Sequence, residues 1–524
     1  MTPEERAQTQ GARQEDPRAS DATRPLNHVD TGAVDLPTPE QAGRMAFGTV
    51  KTLRRAVDDG EWTTQRLVAY LVRRIEELSR AGLNAVIELN PDVMADAARC
   101  DADRVRGAVL GPLHGIPVLL KDNVGTGGAM HTTAGAVAMA DAHCDRDAFI
   151  VTQLCAAGAI ILGKTNLSEW ANYMTSDSNN GFSALGGQVH NPHGPFDVGG
   201  SSSGSGAALA AGFVPLAVGS ETAGSIVSPA AQNGVVGIKP SLGLVSRDRI
   251  IPISDQMDTA GPMARCVADA ALMLSVMAVR DDRDPAAAML DGVHGVDFCA
   301  GLRDDALAGQ RVGLPRAALP LRDEDEAWLA RAVAVMEAAG ATVVEVDFTP
   351  PDIDYRPVMD AGMRMGVNAY LLETGAPVPT LADVVALNAA DPANRAPYGQ
   401  DILETAVAST MSYDEYLAAA QRNRVLAGNA LRHLMQTHRL DLLLSLNNQL
   451  TRLYAPAGFP AVCLPLARRA SGEPVGLTLV ADYGADAALV AWAFAAEQVI
   501  AAQDPALMTP PRRADLAAGL GDRA

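Results

Sequence analysis

The sequence has few residues suited to metal or redox chemistry. Its 524 residues include six scattered cysteines, with no CxxC pair and no spacing typical of a metal site. The nine histidines form no HExxH motif, and His190 and His193 lie in a segment rich in Asn, Pro and Gly. We therefore predict that the protein uses no metal and no other cofactor. Unpaired cysteines also suit a reducing compartment, which predicts a cytoplasmic protein.

Basic residues and long apolar runs are scarce as well. The chain has 42 Lys and Arg against 62 Asp and Glu, a net charge of −20. Nucleic-acid binding needs clustered basic residues, so we predict no nucleic-acid partner. No apolar run approaches the roughly 20 residues of a membrane helix, so we predict no membrane association. Residues 1–38 are polar, lack the apolar centre of a signal peptide, and are predicted to form a disordered tail.

The pattern of apolar segments predicts an α/β protein. Residues 116–120 form a fully apolar strand, and residues 148–157 form a helix that leads into the apolar strand 159–163. Such alternation is typical of a buried sheet covered by helices. Between about residues 285 and 440 helical patterns dominate, with one strand candidate at 342–346, so we predict a mainly helical lobe there. Residues 39–524 are predicted to form a single domain.

The most informative segment is rich in glycine and serine and spans residues 198–225. Glycines surround the serines at 201–203, and Ser225 follows Gly224. Glycine lets the backbone approach a ligand closely, so these serines can be held by main chain with their hydroxyls free. Upstream, Lys121 closes the apolar strand 116–120, and alternation turns Asp122 to the opposite face. A lysine desolvated in this way can lose its proton. Together these residues suggest serine-based acyl transfer without histidine.

Each of these residues also has a structural interpretation. A glycine- and serine-rich segment is often a flexible loop or a phosphate cradle. The sequence has no GxxxxGK[ST] motif, and Leu209 stands where a dinucleotide-binding motif has its third glycine. Lys121 could be a surface lysine paired with Asp122, and Lys164 competes with it for the role of base.

Several motifs together resemble the amidase signature family, over about residues 40 to 500. They are Lys121-Asp122-Asn123, Gly163-Lys164-Thr165-Asn166, Gly199-Gly200-Ser201-Ser202, Gly224-Ser225, Gly234-Val235-Val236-Gly237-Ile238-Lys239-Pro240 and Asp258-Thr259-Ala260-Gly261-Pro262. The resemblance implies a large, mixed, twisted β-sheet flanked by helices, with a mainly helical lobe. It also implies a Ser–cisSer–Lys triad of Ser225 as nucleophile, Ser201 as the bridging serine after a cis peptide bond, and Lys121 as base.

The same resemblance implies supporting roles. The backbone N–H groups of the nucleophile loop would form the oxyanion hole, from residues Thr222, Ala223, Gly224 and Ser225. Ser202 and Gly200 would support the triad, and Lys164 would be structural. Many family members have Asp and Arg where this chain has Glu221 and Val227, so we expect the ion pair beneath the nucleophile to be absent.

Within the family, the chain is most similar to the bacterial peptide amidases. This similarity implies a small-molecule amide or an amidated peptide as substrate, and leaves the oligomeric state open. Two segments depart from the peptide amidase pattern, Gly362-Met363-Arg364 and Ser445-Leu446-Asn447-Asn448. Two alternatives therefore stay open. One is an aryl-acylamidase or carbamate (urethane) hydrolase with the same triad, which a cavity with few charges would favour. The other is a component of glutamyl-tRNA amidotransferase of the glutaminase type.

Overall fold

A mixed β-sheet of 11 strands forms the centre of the computed structural model, which describes residues 23–35, 37–290 and 292–507. A separate two-stranded hairpin consists of β4 and β5. The strands in chain order are β1 (Val86–Leu89), β2 (Pro117–Lys121), β3 (Ile160–Thr165), β4 (Phe182–Ser183), β5 (Gly187–Gln188), β6 (Leu216–Glu221), β7 (Val236–Lys239), β8 (Thr259–Ala264), β9 (Arg311–Leu314), β10 (Thr342–Glu345), β11 (Leu442–Leu446), β12 (Ala461–Arg468) and β13 (Pro474–Ala481).

The order of the large sheet is β1-β3-β2-β6-β8-β7-β12-β13-β11-β9-β10. β2 runs parallel to both β3 and β6, whereas β6 and β8 are antiparallel. Because parallel strands end at the same edge of a sheet, the last residues of β2 and β6 lie side by side. This edge carries Lys121 and Glu221.

Helices cover the sheet and continue beyond it. Besides one short helical turn at Glu169–Asn172, they are α1 (Pro39–Phe47), α2 (Val50–Asp58), α3 (Thr64–Arg80), α4 (Val93–Val105), α5 (Phe149–Ala156), α6 (Ser203–Ala210), α7 (Val227–Asn233), α8 (Val267–Met277), α9 (Asp325–Ala338), α10 (Arg356–Thr374), α11 (Leu381–Ala390), α12 (Pro392–Arg395), α13 (Asp401–Ala408), α14 (Tyr413–His438), α15 (Thr451–Ala457) and α16 (Asp486–Gln503). None of the helices in the described ranges is long and apolar enough to cross a membrane.

The α/β class and the helix-flanked mixed sheet predicted from the sequence are confirmed. The predicted strand 116–120 is β2, the predicted helix 148–157 is α5, and the predicted strand 159–163 is β3, each with ends shifted by one or two residues. Fraying at element ends and the choice of the first paired residue account for shifts of this size.

The predicted tail is wrong for part of its length. Residues 1–22 and residue 36 lie outside the described residues, but residues 23–35 pack against the domain. The side chain of Asn27 accepts a hydrogen bond from the N–H of Leu89 at 2.7 Å and donates one to its carbonyl at 2.9 Å. Asn27 thereby satisfies the unpaired backbone groups of β1, the strand at one edge of the sheet. Val29 is also buried in the main apolar core.

The predicted helical lobe, residues 285–440, also needs a correction. β9 and β10 pair with each other and extend the large sheet beyond β11, so this part belongs to the sheet. The sequence analysis missed β9 because a strand of four residues gives little periodic signal. Helices α10, α11 and α13 pack around a second apolar core, which includes Met363, Val367, Leu371, Leu381, Val384 and Leu403.

Candidate active site

Lys121 lies at the end of β2 and its side chain is completely buried. Its Nζ donates hydrogen bonds to the Oγ atoms of Ser201 and Ser220, at 2.7 and 2.9 Å, and to the carbonyl of Ser220 at 3.3 Å. The contact with Ser220 follows from the parallel pairing of β2 and β6, in which Leu120 lies opposite Val218. Two serine hydroxyls therefore surround one buried amine.

Burial lowers the pKa of Lys121 from its ordinary value to about 7. Desolvation disfavours the ammonium form, while the carboxylates of Asp258 and Glu221 favour it and oppose part of the shift. A lysine with a pKa near 7 is neutral in a large fraction of molecules at neutral pH, and a neutral amine can accept a proton.

Contacts distinguish Lys121 from the other buried lysines. The chain contains only four lysines, Lys51, Lys121, Lys164 and Lys239, and Lys51 is exposed. Lys164 donates to the carbonyl of Val124 at 2.7 Å and to Thr132 Oγ1 at 3.0 Å. Lys239 donates to the carbonyls of Phe459 and Pro240. Their pKa values are also lowered by burial, but neither contacts a serine of the glycine- and serine-rich segment.

Asp122 lies apart from the Lys121 amine, as alternation along β2 predicts. Its carboxylate accepts hydrogen bonds from the N–H and the hydroxyl of Thr133. Desolvation raises the pKa of Asp122 to about 6 overall, although the nearby Lys164 ammonium opposes part of this rise. Asp122 thus contacts Thr133, and it acts on Lys164 only through its charge.

The segment 199–202 brings Ser201 onto Lys121. The peptide bond between Gly200 and Ser201 is cis, and Ser201 is fully buried. A Cβ atom on Gly200 would lie 2.6 Å from Asn180 Oδ1 and 2.7 Å from Ser168 Oγ, so any other residue there would displace these side chains. The neighbouring Ser202 donates through Oγ to the carbonyl of Ser220 at 3.1 Å and accepts from the N–H of Ser220 at 3.2 Å.

Ser202 also connects this segment to Ser225. The N–H of Ser202 donates to the carbonyl of Ser225 at 3.2 Å. Ser225 precedes α7 and is 8% exposed, whereas Ser201 and Lys121 are 0% exposed. Ser225 is thus the member of the three that solvent reaches. Its hydroxyl has no hydrogen-bond partner within the described part of the chain.

The backbone around Ser225 presents unpaired N–H groups. Gly224 has a φ of +89°, a conformation that glycine adopts without strain. Within the described ranges, the four consecutive N–H groups of the loop have no acceptor; they belong to Thr222, Ala223, Gly224 and Ser225. The next two are occupied, because Glu221 Oε2 accepts from the N–H of Ile226 at 2.7 Å and of Val227 at 3.1 Å. The loop therefore presents four unpaired backbone N–H donors next to the Ser225 side chain.

Glu221 stabilises the backbone at the start of α7. With Val227 in place of a basic residue, no ion pair involves Glu221 in the described part of the chain. Its carboxylate holds the start of α7 through backbone N–H groups instead.

A cavity of about 430 Å³ opens beside this cluster. Ser220, Thr222 and Asn123 line it on the side of this cluster, and Gly362, Tyr413 and Tyr416 line it from the helical region. Nine charged side chains also line it: Glu221, Arg247, Asp248, Arg249, Asp255, Asp258, Arg283, Asp284 and Glu373. Several of these form ion pairs with each other, such as Arg247 with Asp284 at 2.5 Å. A cavity with few charges would have favoured the aryl-acylamidase or carbamate hydrolase hypothesis. The observed lining is highly charged and does not match that expectation.

The two departing segments lie close to the site. Gly362 lines the cavity, whereas Arg364 donates to the carbonyl of Met411 at 2.8 Å. Asn448 lies over the nucleophile loop, since its Nδ2 is 3.1 Å from the position of a Cβ on Gly224.

The sequence analysis missed Ser220, Asn123 and Asp258 as site residues. Asn123 Nδ2 donates to Ser220 Oγ at 2.9 Å, and Asp258 accepts from the Thr222 hydroxyl. Asn123 and Asp258 belong to motifs that carried the family resemblance, which was the available signal. Within the described ranges, no group of three or more His, Cys, Asp or Glu side chains could hold a metal ion. The absence of a metal stays a prediction.

Comparisons with known proteins agree with this description. The amidase family model matches residues 66–450. A probable amidase of Arabidopsis thaliana is 34% identical over 87% of this chain and 91% of its own length. A component of the glutamyl-tRNA(Gln) amidotransferase of Alkaliphilus metalliredigens is 32% identical over 86% of this chain and 96% of its own length. The crystal structure of peptide amidase from Stenotrophomonas maltophilia superposes with a TM-score of 0.81 at 39% identity, over 86% of this chain and 96% of that one.

The chain belongs to the amidase signature family. It is an amide-hydrolysing enzyme, as the resemblance in the sequence predicted.

Proposed function

We propose that the protein hydrolyses carboxylic amides through an acyl-enzyme on Ser225, with Ser201 as proton relay and Lys121 as base. The observation that carries this proposal is the 2.7 Å contact between Lys121 Nζ and Ser201 Oγ, made by a buried amine. A serine hydroxyl is a weak nucleophile until a base takes its proton, and the neutral form of Lys121 can be that base.

In the first half-reaction, Ser225 Oγ attacks the carbonyl carbon of the amide. Its proton passes to Ser201 Oγ as the proton of Ser201 passes to Lys121 Nζ. Negative charge then develops on the substrate oxygen, where the unpaired N–H groups of residues 222–225 stabilise it. The C–N bond breaks as the proton returns through Ser201 to the leaving nitrogen, which departs as ammonia or an amine.

In the second half-reaction, water attacks the ester on Ser225. One water proton follows the same relay to Lys121, and the tetrahedral intermediate collapses to the carboxylic acid, which gives the other water proton to solvent and leaves as the carboxylate. The proton on Lys121 returns through Ser201 to Ser225 Oγ, so the enzyme ends in its starting state. A serine hydroxyl can act in both directions because it both donates and accepts.

For the substrate, we favour amidated peptides or small polar amides, and a cytoplasmic setting. The 39% identity to a peptide amidase and the charged, roughly 430 Å³ cavity support this choice. The aryl-acylamidase or carbamate hydrolase hypothesis loses support, since it favoured a cavity with few charges. The similarity to a glutamyl-tRNA(Gln) amidotransferase component keeps membership of an amidotransferase complex as the second candidate, and a stable partner on purification would favour it.

The proposal is tested with Ser225→Ala. We expect this variant to lose turnover by about 10⁴-fold or more and to resist a serine-directed phosphonate that labels the wild type. Mass spectrometry should place the adduct on Ser225. Ser203→Ala is the control in the same segment, and it should still be labelled. An adduct on another serine would show that the nucleophile is misassigned.

The substrate class is tested separately. Measuring turnover of peptide amides, anilides, aliphatic amides and aryl carbamates would rank these four substrate classes.

A further inference from the structure

We propose that Asp258 is a positioning residue, whose carboxylate fastens the oxyanion loop to the wall of the substrate cavity. This inference rests on the proposed function, because it assigns the loop at residues 222–225 to the oxyanion. If the inference is right, the Asp258 side chain controls both the position of Thr222 and the electrostatic environment of Lys121.

The register of the sheet brings Asp258 to this loop. β6 and β8 are antiparallel, with Glu221 opposite Thr259. The residues just beyond that pair, Thr222 and Asp258, therefore face each other, and the Thr222 hydroxyl donates to Asp258 Oδ1. One carboxylate oxygen thus holds the first residue of the proposed oxyanion loop.

The other oxygen of Asp258 holds the cavity wall. Asp258 Oδ2 accepts from the N–H groups of Ile253 and Ser254, at 2.8 and 2.9 Å. Ile253 lines the cavity, and Ser254 Oγ is 2.8 Å from the hydroxyl of Tyr416 in α14. The wall segment is therefore held by the helical region on one side and by Asp258 on the other.

Close packing leaves this wall little freedom to move alone. A Cβ on Gly362 of α10 would lie only 2.8 Å from the carbonyl oxygen of Ile253. A substrate that contacts Ile253 therefore contacts a segment whose backbone N–H groups are hydrogen-bonded to Asp258. Because Asp258 is also bonded to Thr222, the fit of the substrate in the cavity affects the position of the oxyanion donors.

The charge of Asp258 acts on Lys121 as well. Of the carboxylates that raise the pKa of Lys121 against the effect of burial, Asp258 has the larger influence and Glu221 the smaller. Asp258 is itself surrounded by protein except where it faces the cavity. Desolvation raises its pKa to about 6, while the Thr222 hydroxyl, the two backbone N–H groups and Arg247 favour its ionised form. Tyr416 is the other titratable group that interacts with it.

A buried carboxylate that only stabilises the fold would not affect the titration of Lys121, whereas the proposed positioning residue would. The chain contains a matched control for this comparison. Asp486 is also a buried carboxylate that accepts from a backbone N–H and a hydroxyl, both of Ser241, at 2.8 and 2.5 Å. It acts on Lys239, which lies outside the proposed site. Asp258→Asn and Asp486→Asn thus make the same chemical change beside two different buried lysines.

The readout uses the scarcity of lysine. With only four lysines in the chain, the full-length protein labelled with ¹³C at lysine Cε gives four signals to follow against pH. The signal missing from Lys121→Met identifies Lys121. We expect Asp258→Asn to shift the titration of Lys121 to lower pH and to move the ascending limb of the kcat profile with it. Asp486→Asn should leave the Lys121 signal unmoved and shift that of Lys239.

Loop positioning is tested separately from charge. Thr222→Val removes the hydroxyl donor but keeps the carboxylate. We expect it to lower kcat on the plateau by about 10- to 100-fold, with a smaller shift of the Lys121 titration than Asp258→Asn gives, and Thr222→Ser to restore activity. A Lys121 titration unchanged in Asp258→Asn would overturn the electrostatic role. A plateau kcat unchanged in Thr222→Val would overturn the positioning role, even where Asp258→Asn does not fold. The titrations need no substrate, so they hold even if Ser225→Ala shows the proposed chemistry to be wrong.

Discussion

The sheet and the helical region around α10 to α14 contribute different things to one site. The sheet edge supplies Lys121, Ser220 and the loop that ends in Ser225, all connected by hydrogen bonds. The helical region has its own apolar core and supplies only cavity lining, such as Gly362 and Tyr413. We therefore predict that the sheet edge carries the reaction and that the helical region influences which substrates fit.

Removing the base from the sheet side should have the largest effect. If Lys121 is the base, Lys121→Met and Lys121→Arg should each lower kcat by about 10⁴-fold, because neither side chain can accept a proton at neutral pH. Since activity needs the neutral amine, wild-type kcat should rise with pH through about 7, the pKa of Lys121, and stay high above it.

Lys239→Met makes the same change in another buried lysine and tests whether burial alone explains the loss. We expect that variant, once folded, to retain the pH limb near 7, the pKa of Lys121. Near-wild-type kcat in Lys121→Arg would make Lys121 a structural cation and Lys164 the next candidate for the base.

A change on the helical side of the cavity should alter substrate binding more than chemistry. Gly362→Ala places a methyl group 2.8 Å from the carbonyl oxygen of Ile253, so the wall must shift. We expect about 1–3 kcal/mol of destabilisation in denaturant melts and a higher KM for large amides. Gly43→Ala, with open space around its Cβ position, is the control and should change neither. A fall in kcat for the smallest amides equal to that for large ones would contradict the division between sheet and helices.

The smallest effect is expected at the exposed mouth of the cavity. Tyr413 is 54% exposed and lines the cavity, so Tyr413→Ala should raise KM for bulky amides a few-fold and leave kcat unchanged. Leu372→Ala, on α10 but 79% exposed and away from the cavity, is the control. Equal KM values for the two variants across the substrate panel would remove Tyr413 from the binding surface.

Much of the fold could be predicted because its signals are local. An apolar run such as residues 116–120 must be buried, and a helix-to-strand alternation predicts a covered sheet. The prediction failed at β9 and at residues 23–35. The structure of both depends on partners far along the chain, β11 for the former and Leu89 for the contact of Asn27.

By itself the sequence determined the family, the α/β class and the residue types of the proposed triad. These follow from motifs of glycine, serine and lysine that are each only a few residues long and can be recognised without the fold. Only the tertiary structure decided that β2 and β6 are parallel neighbours, which places Ser220 on Lys121, and that β6 and β8 pair so that Asp258 meets Thr222. Periodicity reveals which face of a strand is buried but not which strand lies beside it. Strand order and register emerge from packing between distant segments, and these decided the surroundings of Lys121.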